Sequence, residues 1–366
     1  MHVAFFAEQL YYLPQFLPVI EVLRQRGHRV TTLLRLDAQF AGIALVLPAV
    51  GEDDSEPIMV ASGREGYVRL RQLAPDWAVF GTFLDPSETL ATRTRTALIY
   101  HGIGVKSVLF DNRLNAFDLR CVESQRVLDE LIARDPAARP RCALVGFAKL
   151  DPLITAPRPA RRQAGAAPVL LYAPTFYPSS LERMPTRLAE LAPGAQWIVK
   201  PHFFSWTLKQ YAAQRERLAA WASDEQVEVC GPEVYNLVPL MARADVLVSD
   251  ASSALFEFAA LGRPVVWCRF LALRWSYRGV FSWRFKRRID PNTPRYEAVA
   301  HTVDKPAQLG GVLSRAIDES ADPDRARLPQ REALIEHLIG PRDGRASERI
   351  ADELARRLGR VTAPDG

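Results

Sequence analysis

Two adjacent serines follow a short apolar run in the second half of the chain. Residues 246–248 are expected to form a strand buried on both faces of a parallel sheet, and this strand ends at residues 250–253, Asp-Ala-Ser-Ser. The apolar spacing that follows predicts a helix capped by Ser252 or Ser253. A strand, a hydroxyl-rich turn and a helix N-terminus together favour binding of the phosphates of a nucleotide. An ordinary capped helix is the alternative.

His101 stands at the end of another predicted strand, at residues 97–100. It precedes Gly102 and Gly104, and Lys106 lies five residues further on. Glycines let the backbone approach a ligand closely, and an imidazole can act as a general base near neutral pH. A tight turn with a surface imidazole is the alternative interpretation.

His202 follows a third predicted strand, at residues 197–200, and is preceded by Lys200 and a proline. A cation and an imidazole at a strand end suit an anionic ligand, whereas solvated side chains at a capped strand end are the alternative. His101 and His202 lie on opposite sides of a predicted linker. We therefore expect a cleft between two domains to bring both imidazoles to one phosphate, one as base and one stabilising charge.

Basic and aromatic residues alternate between residues 269 and 288. The basic members that we expect to contact an acceptor or a membrane are Arg278, Arg284, Lys286, Arg287 and Arg288. Such a run suits a polyanionic acceptor, a membrane surface or RNA, and a solvated loop is the alternative. We favour a membrane surface, because exposing so many aromatic side chains without a partner is costly.

Strands and helices alternate along the whole chain, which predicts an α/β protein with parallel sheets. Strands are predicted at residues 1–6, 30–34, 77–80, 97–100, 107–110, 143–145, 169–172, 197–200, 227–230, 246–248 and 265–267, with helices at 13–27, 124–134 and 345–358. Between residues 154 and 168 the sequence becomes rich in Pro, Arg, Ala and Gly, as in a linker between domains. The pattern therefore predicts two α/β domains.

Composition limits the classes of protein that this chain can be. Its 366 residues suit two domains, and no run of about 18 apolar residues predicts a membrane span. The four cysteines form no CxxC pair, so reduced thiols and no zinc site are expected. A net charge of +5 favours an anionic partner. The first residues are typical of a strand rather than a signal peptide, which favours the cytoplasm.

Taken in order, the motifs resemble those of the CDP-glycerol glycerophosphotransferase family, which includes teichoic-acid primases and polymerases and related capsule-polymer enzymes. The resemblance covers about residues 95–270. It rests on His101-Gly-Ile-Gly-Val-Lys106, Gly146-Phe-Ala-Lys-Leu-Asp151, Tyr172-Ala-Pro-Thr175, Lys200-Pro-His202, Asp250-Ala-Ser-Ser253, Phe256-Glu-Phe258 and Arg263-Pro264. The ordered set is far more specific than any one motif.

The resemblance implies a GT-B-like fold, in which two Rossmann-like domains face a central cleft. Residues 1–157 would form the acceptor-side domain, residues 158–340 the CDP-donor domain, and residues 341–366 a helix and tail that pack back on the first domain. It also implies transfer of glycerol phosphate, or a similar alditol phosphate, from CDP-glycerol to a hydroxyl of a cell-surface glycan or lipid-linked acceptor. CMP would be released.

The resemblance also assigns roles to residues. His101 would be the base or acceptor-side imidazole, and His202 would hold or polarise the diphosphate. Ser252 and Ser253 would hold phosphate oxygens of the donor, while Asp250 sets the turn. The other residues expected to bind substrate are Gly102, Gly104, Lys106, Thr175, Lys200 and Glu257. Ala251 departs from the family, which usually has tyrosine at this position.

Two other functions remain open from the sequence. A GT-B glycosyltransferase that uses a nucleotide sugar would have the same fold. A noncatalytic nucleic-acid-binding protein is disfavoured, because 42 acidic residues nearly balance 47 basic ones. We expect a cytoplasmic enzyme that is peripheral at the inner face of the cell membrane and has no nucleic-acid partner. CDP-glycerol is the expected donor, no cofactor or metal site is assigned, and participation of a divalent cation stays open.

Overall fold

The computed structural model describes residues 1–36, 57–103, 107–156, 166–273, 293–322 and 329–359. The chain divides into two compact units. The first comprises Met1–Thr155 together with His337–Gly366, and the second comprises Ala156–Glu336. Within the described ranges, no helix combines the length and the apolar character needed to cross a lipid bilayer.

Each unit is built on a parallel β-sheet. The strands are β1 His2–Ala7, β2 Arg29–Arg35, β3 Ile58–Val60, β4 Trp77–Phe80, β5 Arg95–Ile99, β6 Leu119–Val122, β7 Cys142–Leu144, β8 Val169–Ala173, β9 Gln196–Val199, β10 Val227–Val229, β11 Val246–Ser249, β12 Val265–Cys268 and β13 His301–Val303. Strands β1–β7 form the sheet of the first unit, and β8–β13 form that of the second. Central strands such as β4 and β11 are buried along their whole length, as expected when both faces of a sheet are covered.

Helices connect many of the successive strands. They are α1 Leu13–Gln25, α2 Gly63–Leu73, α3 Gln125–Arg134, α4 Asp151–Thr155, α5 Phe203–Thr207, α6 Ala212–Trp221, α7 Val238–Arg243, α8 Ala254–Ala259, α9 Leu309–Ser320, α10 Pro329–Ile339 and α11 Ala346–Gly359. Some helix starts are capped by a side chain. Ser124 accepts a hydrogen bond from Val127 N at the start of α3, and Ser62 accepts one from Glu65 N at the start of α2.

Strand order places a switch point in each sheet. The first sheet runs β3-β2-β1-β4-β5-β6-β7 and the second runs β10-β9-β8-β11-β12-β13. Both have the doubly wound order of Rossmann-like domains, in which the connections reverse direction between β1 and β4 and between β8 and β11. Loops leave the carboxyl ends of these strand pairs in opposite directions, and ligands bind in the crevice between them.

The last helix belongs to the first unit. The indole Nε1 of Trp77 donates to the carbonyl of Leu354 at 3.0 Å, and Arg26 pairs with Asp352 at 2.7 Å. Asp151 is buried and accepts hydrogen bonds from Ser347 N at 2.7 Å and Ser347 Oγ at 2.5 Å. Asp151 therefore anchors the N-terminal end of α11 to α4, the helix that ends the Met1–Thr155 part of the first unit.

Most predicted elements are confirmed, but the strand predicted at residues 107–110 is wrong. Ser107–Phe110 is a 3₁₀ helix, although Leu109 and Phe110 are buried in the core of the first unit. A short apolar run indicates burial without distinguishing a strand from a helical turn. The sequence pattern also missed three strands and seven of the described helices. The strands are β3, β6 and β13, and the helices are α2, α4, α5, α6, α7, α9 and α10.

Candidate functional site

Three loops meet at the carboxyl edge of the second sheet. Strands β9, β8 and β11 are neighbours and run parallel, so the segments that follow them emerge side by side. These segments carry Lys200 and His202 after β9, Thr175 after β8, and residues 250–253 after β11. The predicted donor-binding residues of this unit are thus gathered at its switch point, where doubly wound sheets bind ligands.

Asp250 is fully buried and organises the loop after β8. Its carboxylate accepts hydrogen bonds from Thr175 N at 2.8 Å, Ser180 N at 2.8 Å, Ser180 Oγ at 2.9 Å and Ser179 Oγ at 3.3 Å. Burial raises the pKa of Asp250, and these hydrogen bonds oppose the rise. Asp250 therefore acts on this edge of the sheet as a positioning residue that fixes the loop carrying Thr175.

The two serines differ in how their hydroxyl groups are used. Ser252 Oγ accepts from Ala254 N at 3.2 Å, a bond that does not use the hydroxyl proton of Ser252. Ser253 Oγ donates to Glu257 Oε1 at 2.9 Å, and Glu257 is 1% exposed. Ser252 is therefore the better placed of the two to donate its proton to a phosphate oxygen, whereas Glu257 orients Ser253.

Thr175 and Lys200 also lie at this edge of the second sheet. The Thr175 hydroxyl donates to the carbonyl of Pro178 at 2.7 Å, so its oxygen retains acceptor capacity. Lys200 Nζ donates to the carbonyl of Pro201 at 3.2 Å. Its ammonium is half-buried and supplies positive charge beside the switch point.

His202 is held in a defined protonation pattern. Its Nδ1 accepts a hydrogen bond from Phe204 N at 3.1 Å, and the ring lies beside Phe176 and Phe204, with centroids at 4.6 and 5.0 Å. A nitrogen that accepts a hydrogen bond carries no proton, so the neutral ring carries its proton on Nε2. His202 is thus set to donate a hydrogen bond from Nε2.

His101 shows the opposite pattern in the first unit. It follows β5 and its Nδ1 lies 2.9 Å from the carbonyl oxygen of Gly81, which follows the neighbouring strand β4. A carbonyl oxygen only accepts, so Nδ1 carries the proton and Nε2 of the neutral ring is unprotonated. An unprotonated Nε2 is able to take a proton from a hydroxyl group.

Three residues around His101 were not singled out by the sequence analysis. The Tyr12 ring stacks on the imidazole with centroids 4.6 Å apart and an interplanar angle of 26°, and Tyr11 approaches its edge at 5.0 Å. Gly81 supplies the carbonyl described above. Tyr11 and Tyr12 follow β1 and Gly81 follows β4, so locating the switch point first would have drawn attention to them. Burial raises the pKa of Tyr12, which keeps its hydroxyl protonated.

Several predicted residues lie outside the described part of the chain. They are Gly104, Lys106, Arg278, Arg284, Lys286, Arg287 and Arg288. Gly102 is described and is buried next to His101. His101 belongs to the first unit and His202 to the second, and their convergence on one phosphate stays a prediction. Among the described residues, no three His, Cys, Asp or Glu side chains are grouped so that they could hold a metal ion.

Comparison with known protein families supports the resemblance seen in the sequence. Residues 156–271 match the family model described as CDP-glycerol:poly(glycerophosphate) glycerophosphotransferase. The matched range lies within the second unit and includes Thr175, Lys200, His202 and residues 250–253. The match confirms the predicted family resemblance and the predicted enzyme type, which transfers glycerol phosphate from CDP-glycerol. No curated protein sequence matches the chain.

Solved structures show the same fold. The wall teichoic acid polymerase TagF is 14% identical with a TM-score of 0.67, covering 99% of this chain and 90% of that chain. A variant of TagF has also been solved after soaking with CDPG. MnaA of S. aureus with UDP is 12% identical with a TM-score of 0.62, covering 100% and 99%. The UDP-GlcNAc 2-epimerase of Neisseria meningitidis is 14% identical with a TM-score of 0.63, covering 97% and 100%. The predicted GT-B-like pair of Rossmann-like domains is confirmed.

Proposed function

We propose that this chain, a CDP-glycerol glycerophosphotransferase by its family match at residues 156–271, uses His101 as general base and His202 as a hydrogen-bond donor to the donor diphosphate. The observation that carries the proposal is the opposite protonation of the two neutral imidazoles. His101 Nδ1 donates to a carbonyl, and His202 Nδ1 accepts from a backbone N–H. One ring therefore offers a basic Nε2 and the other an Nε2–H.

The donor diphosphate would occupy the switch point of the second sheet. The Ser252 hydroxyl would donate to a phosphate oxygen, and the Lys200 ammonium would offset its negative charge. His202 Nε2–H would donate to the oxygens of the leaving CMP phosphate. Asp250 and Glu257 would act indirectly, because they hold the Thr175 loop and Ser253.

The transfer step then needs one group that accepts the proton of the attacking hydroxyl and one hydrogen-bond donor that stabilises the negative charge on the leaving phosphate. Nε2 of His101 takes the proton of the acceptor hydroxyl, whose oxygen attacks the phosphorus that carries the glycerol. The bond from this phosphorus to the bridging oxygen breaks, and its electron pair leaves on CMP. The products are the glycerol phosphate ester of the acceptor, CMP and a proton carried first by His101.

The acceptor would be a hydroxyl of a cell-surface glycan or of a lipid-linked polymer. The family description names poly(glycerophosphate), an anionic polymer, which suits the net charge of +5. The basic and aromatic run at residues 269–288 would contact this acceptor or the inner face of the cell membrane. CDP-glycerol would be bound as substrate, consistent with the CDPG-soaked structures of TagF.

A donor panel tests the reaction. The chain is incubated with CDP-glycerol, CDP-ribitol or a UDP-sugar, with a short oligo(glycerol phosphate) or glycerol as acceptor, and the released nucleotide is identified by mass spectrometry. We expect CMP from CDP-glycerol together with a product heavier by one glycerol phosphate. Release of UDP from a UDP-sugar, with no CMP from CDP-glycerol, would replace the proposal by a nucleotide-sugar glycosyltransferase.

Glutamine substitutions separate the two histidine roles, since glutamine donates an N–H but is not a base at neutral pH. His101→Ala and His101→Gln should each lower turnover by about 10²- to 10⁴-fold. His202→Gln should retain clearly more activity than His202→Ala. The matched control is His28→Ala, a histidine in the turn after α1, which should keep wild-type turnover. Recovery in His101→Gln but not in His202→Gln would refute the assignment.

A further inference from the structure

Gly81 and Tyr12 contact His101 from two sides. The carbonyl of Gly81 lies 2.9 Å from Nδ1, and the Tyr12 ring stacks on the imidazole at 4.6 Å. The two residues also touch each other, because a Cβ placed on Gly81 would lie 2.7 Å from both Cγ and Cδ2 of Tyr12. Only a residue without a side chain leaves the Tyr12 ring where it is. Tyr12 is 4% exposed, so it has little room to move aside.

The Tyr12 ring is tied to the same turn at its other end. An interaction with the side chain of Thr82, the residue after Gly81, opposes the rise that burial causes in the pKa of the Tyr12 hydroxyl. The turn after β4 therefore contacts the imidazole directly through its carbonyl and indirectly through the tyrosine. A stacked aromatic neighbour of this kind restricts the rotation of a partly exposed histidine ring, because turning the ring would break the stacking contact.

We infer that Gly81 and Tyr12 are positioning residues that hold neutral His101 as its Nδ1–H tautomer and fix the direction of its Nε2. The catalytic consequence rests on the proposed function, in which Nε2 is the base. The tautomer itself does not depend on that function. The backbone carbonyl cannot be removed by substitution, but a methyl group on Gly81 would displace the Tyr12 ring and the turn together.

Three substitutions test this arrangement. Gly81→Ala inserts a methyl group against Tyr12, Tyr12→Leu removes the stacked ring, and Tyr12→Phe keeps the ring while losing the hydroxyl. We expect kcat to fall by about tenfold or more in Gly81→Ala and Tyr12→Leu and much less in Tyr12→Phe, since a poorly placed base loses much of the benefit of proton transfer. KM for CDP-glycerol should stay unchanged, because the proposed donor residues belong to the other unit.

The tautomer is measured without substrate. The whole chain is labelled with ¹⁵N-histidine, and long-range ¹H–¹⁵N correlation spectra are recorded above the pKa of the imidazoles, with His101→Ala used to assign the His101 signals. Wild-type protein should show the Nδ1–H pattern, and Gly81→Ala and Tyr12→Leu should lose it or show exchange between tautomers. Gly311→Ala is the matched control, because a Cβ there meets no atom within 4 Å.

An Nε2–H pattern in the wild-type protein would overturn the inference. The inference would also be overturned if both Gly81→Ala and Tyr12→Leu kept the wild-type tautomer and the wild-type kcat. If Gly81→Ala does not fold, the comparison of Tyr12→Leu with Tyr12→Phe decides by the same two measurements. If the tautomer is as expected but His101→Ala keeps full turnover, the base assignment fails while the positioning of the ring stands.

Discussion

Replacing Asp250 by alanine should destabilise the second unit because its carboxylate accepts four hydrogen bonds. Two of the donors are backbone N–H groups, of Thr175 and Ser180, each at 2.8 Å. Asp250 and Ser180 are 0% exposed, so water cannot take the place of the carboxylate. Each buried donor left without a partner costs about 1–3 kcal/mol, and removing a desolvated charge offsets part of this. We expect a net loss of about 3–5 kcal/mol in the free energy of unfolding.

Asp245 provides a matched control at the beginning of the same strand. Its carboxylate accepts one hydrogen bond, from Val169 N at 2.8 Å, and the residue is only half-buried. Asp245→Ala should therefore cost about 1 kcal/mol, the ordinary net contribution of a single hydrogen bond. The two variants remove the same chemical group from positions that differ mainly in burial and in the number of donors.

The assay combines urea unfolding with hydrogen exchange. Because the chain has two units, a single unfolding midpoint mixes both, so exchange at individual amides gives the local result. The amides of Thr175 and Ser180 should exchange much faster in Asp250→Ala than in wild type, and the KM for CDP-glycerol should rise as the loop loosens. Equal destabilisation by Asp250→Ala and Asp245→Ala, with protected loop amides in both, would refute the role given to Asp250.

Two further predictions concern carboxylates outside the proposed donor site, the buried Asp151 and the partly buried Glu319. Asp151→Ala should speed hydrogen exchange of the first α11 amides by about tenfold, because two backbone N–H groups and a hydroxyl there lose their acceptor. Unchanged hydrogen exchange would contradict the anchoring role of Asp151. Burial raises the pKa of Glu319, but hydrogen bonds from His301 and Arg331 outweigh this effect and hold the pKa below its usual range. The stabilisation from the ionised carboxylate is present at neutral pH and is lost as pH falls through the lowered pKa. Urea unfolding of wild type and Glu319→Gln should therefore show a stability difference that shrinks below about pH 4.5. A difference that grows below this pH would contradict the prediction.

A buried polar residue explains one failure of the sequence pattern. Strand β6 was missed because Arg120 interrupts its apolar pattern, although the side chain is only 2% exposed. Its guanidinium donates to Asn115 Oδ1 at 2.5 Å and to the carbonyl of Leu109 at 2.8 Å. The same Leu109 lies in the segment wrongly predicted as a strand. The polarity of an arginine is visible in the sequence, but the partners that make its burial possible are not.

Local chemistry allowed much of the site to be predicted. The apolar run before Asp250 and the serines after it indicate a strand, a turn and a helix from neighbouring residues alone. His101 and His202 were placed at strand ends for the same reason, and strand ends of parallel sheets are where ligands bind. The ordered motifs further indicated a resemblance to the family whose model matches residues 156–271.

The sequence by itself thus determined which residue types stand at the ends of the strands, since the periods of strands and helices are local properties. Only the tertiary structure decided what these residues do there. The order of the strands puts Gly81 beside His101 and the Thr175 loop over Asp250, which are distant in sequence. Such contacts fix which imidazole nitrogen carries the proton and turn the Asp250 carboxylate inward, because hydrogen bonds depend on distance and direction in space.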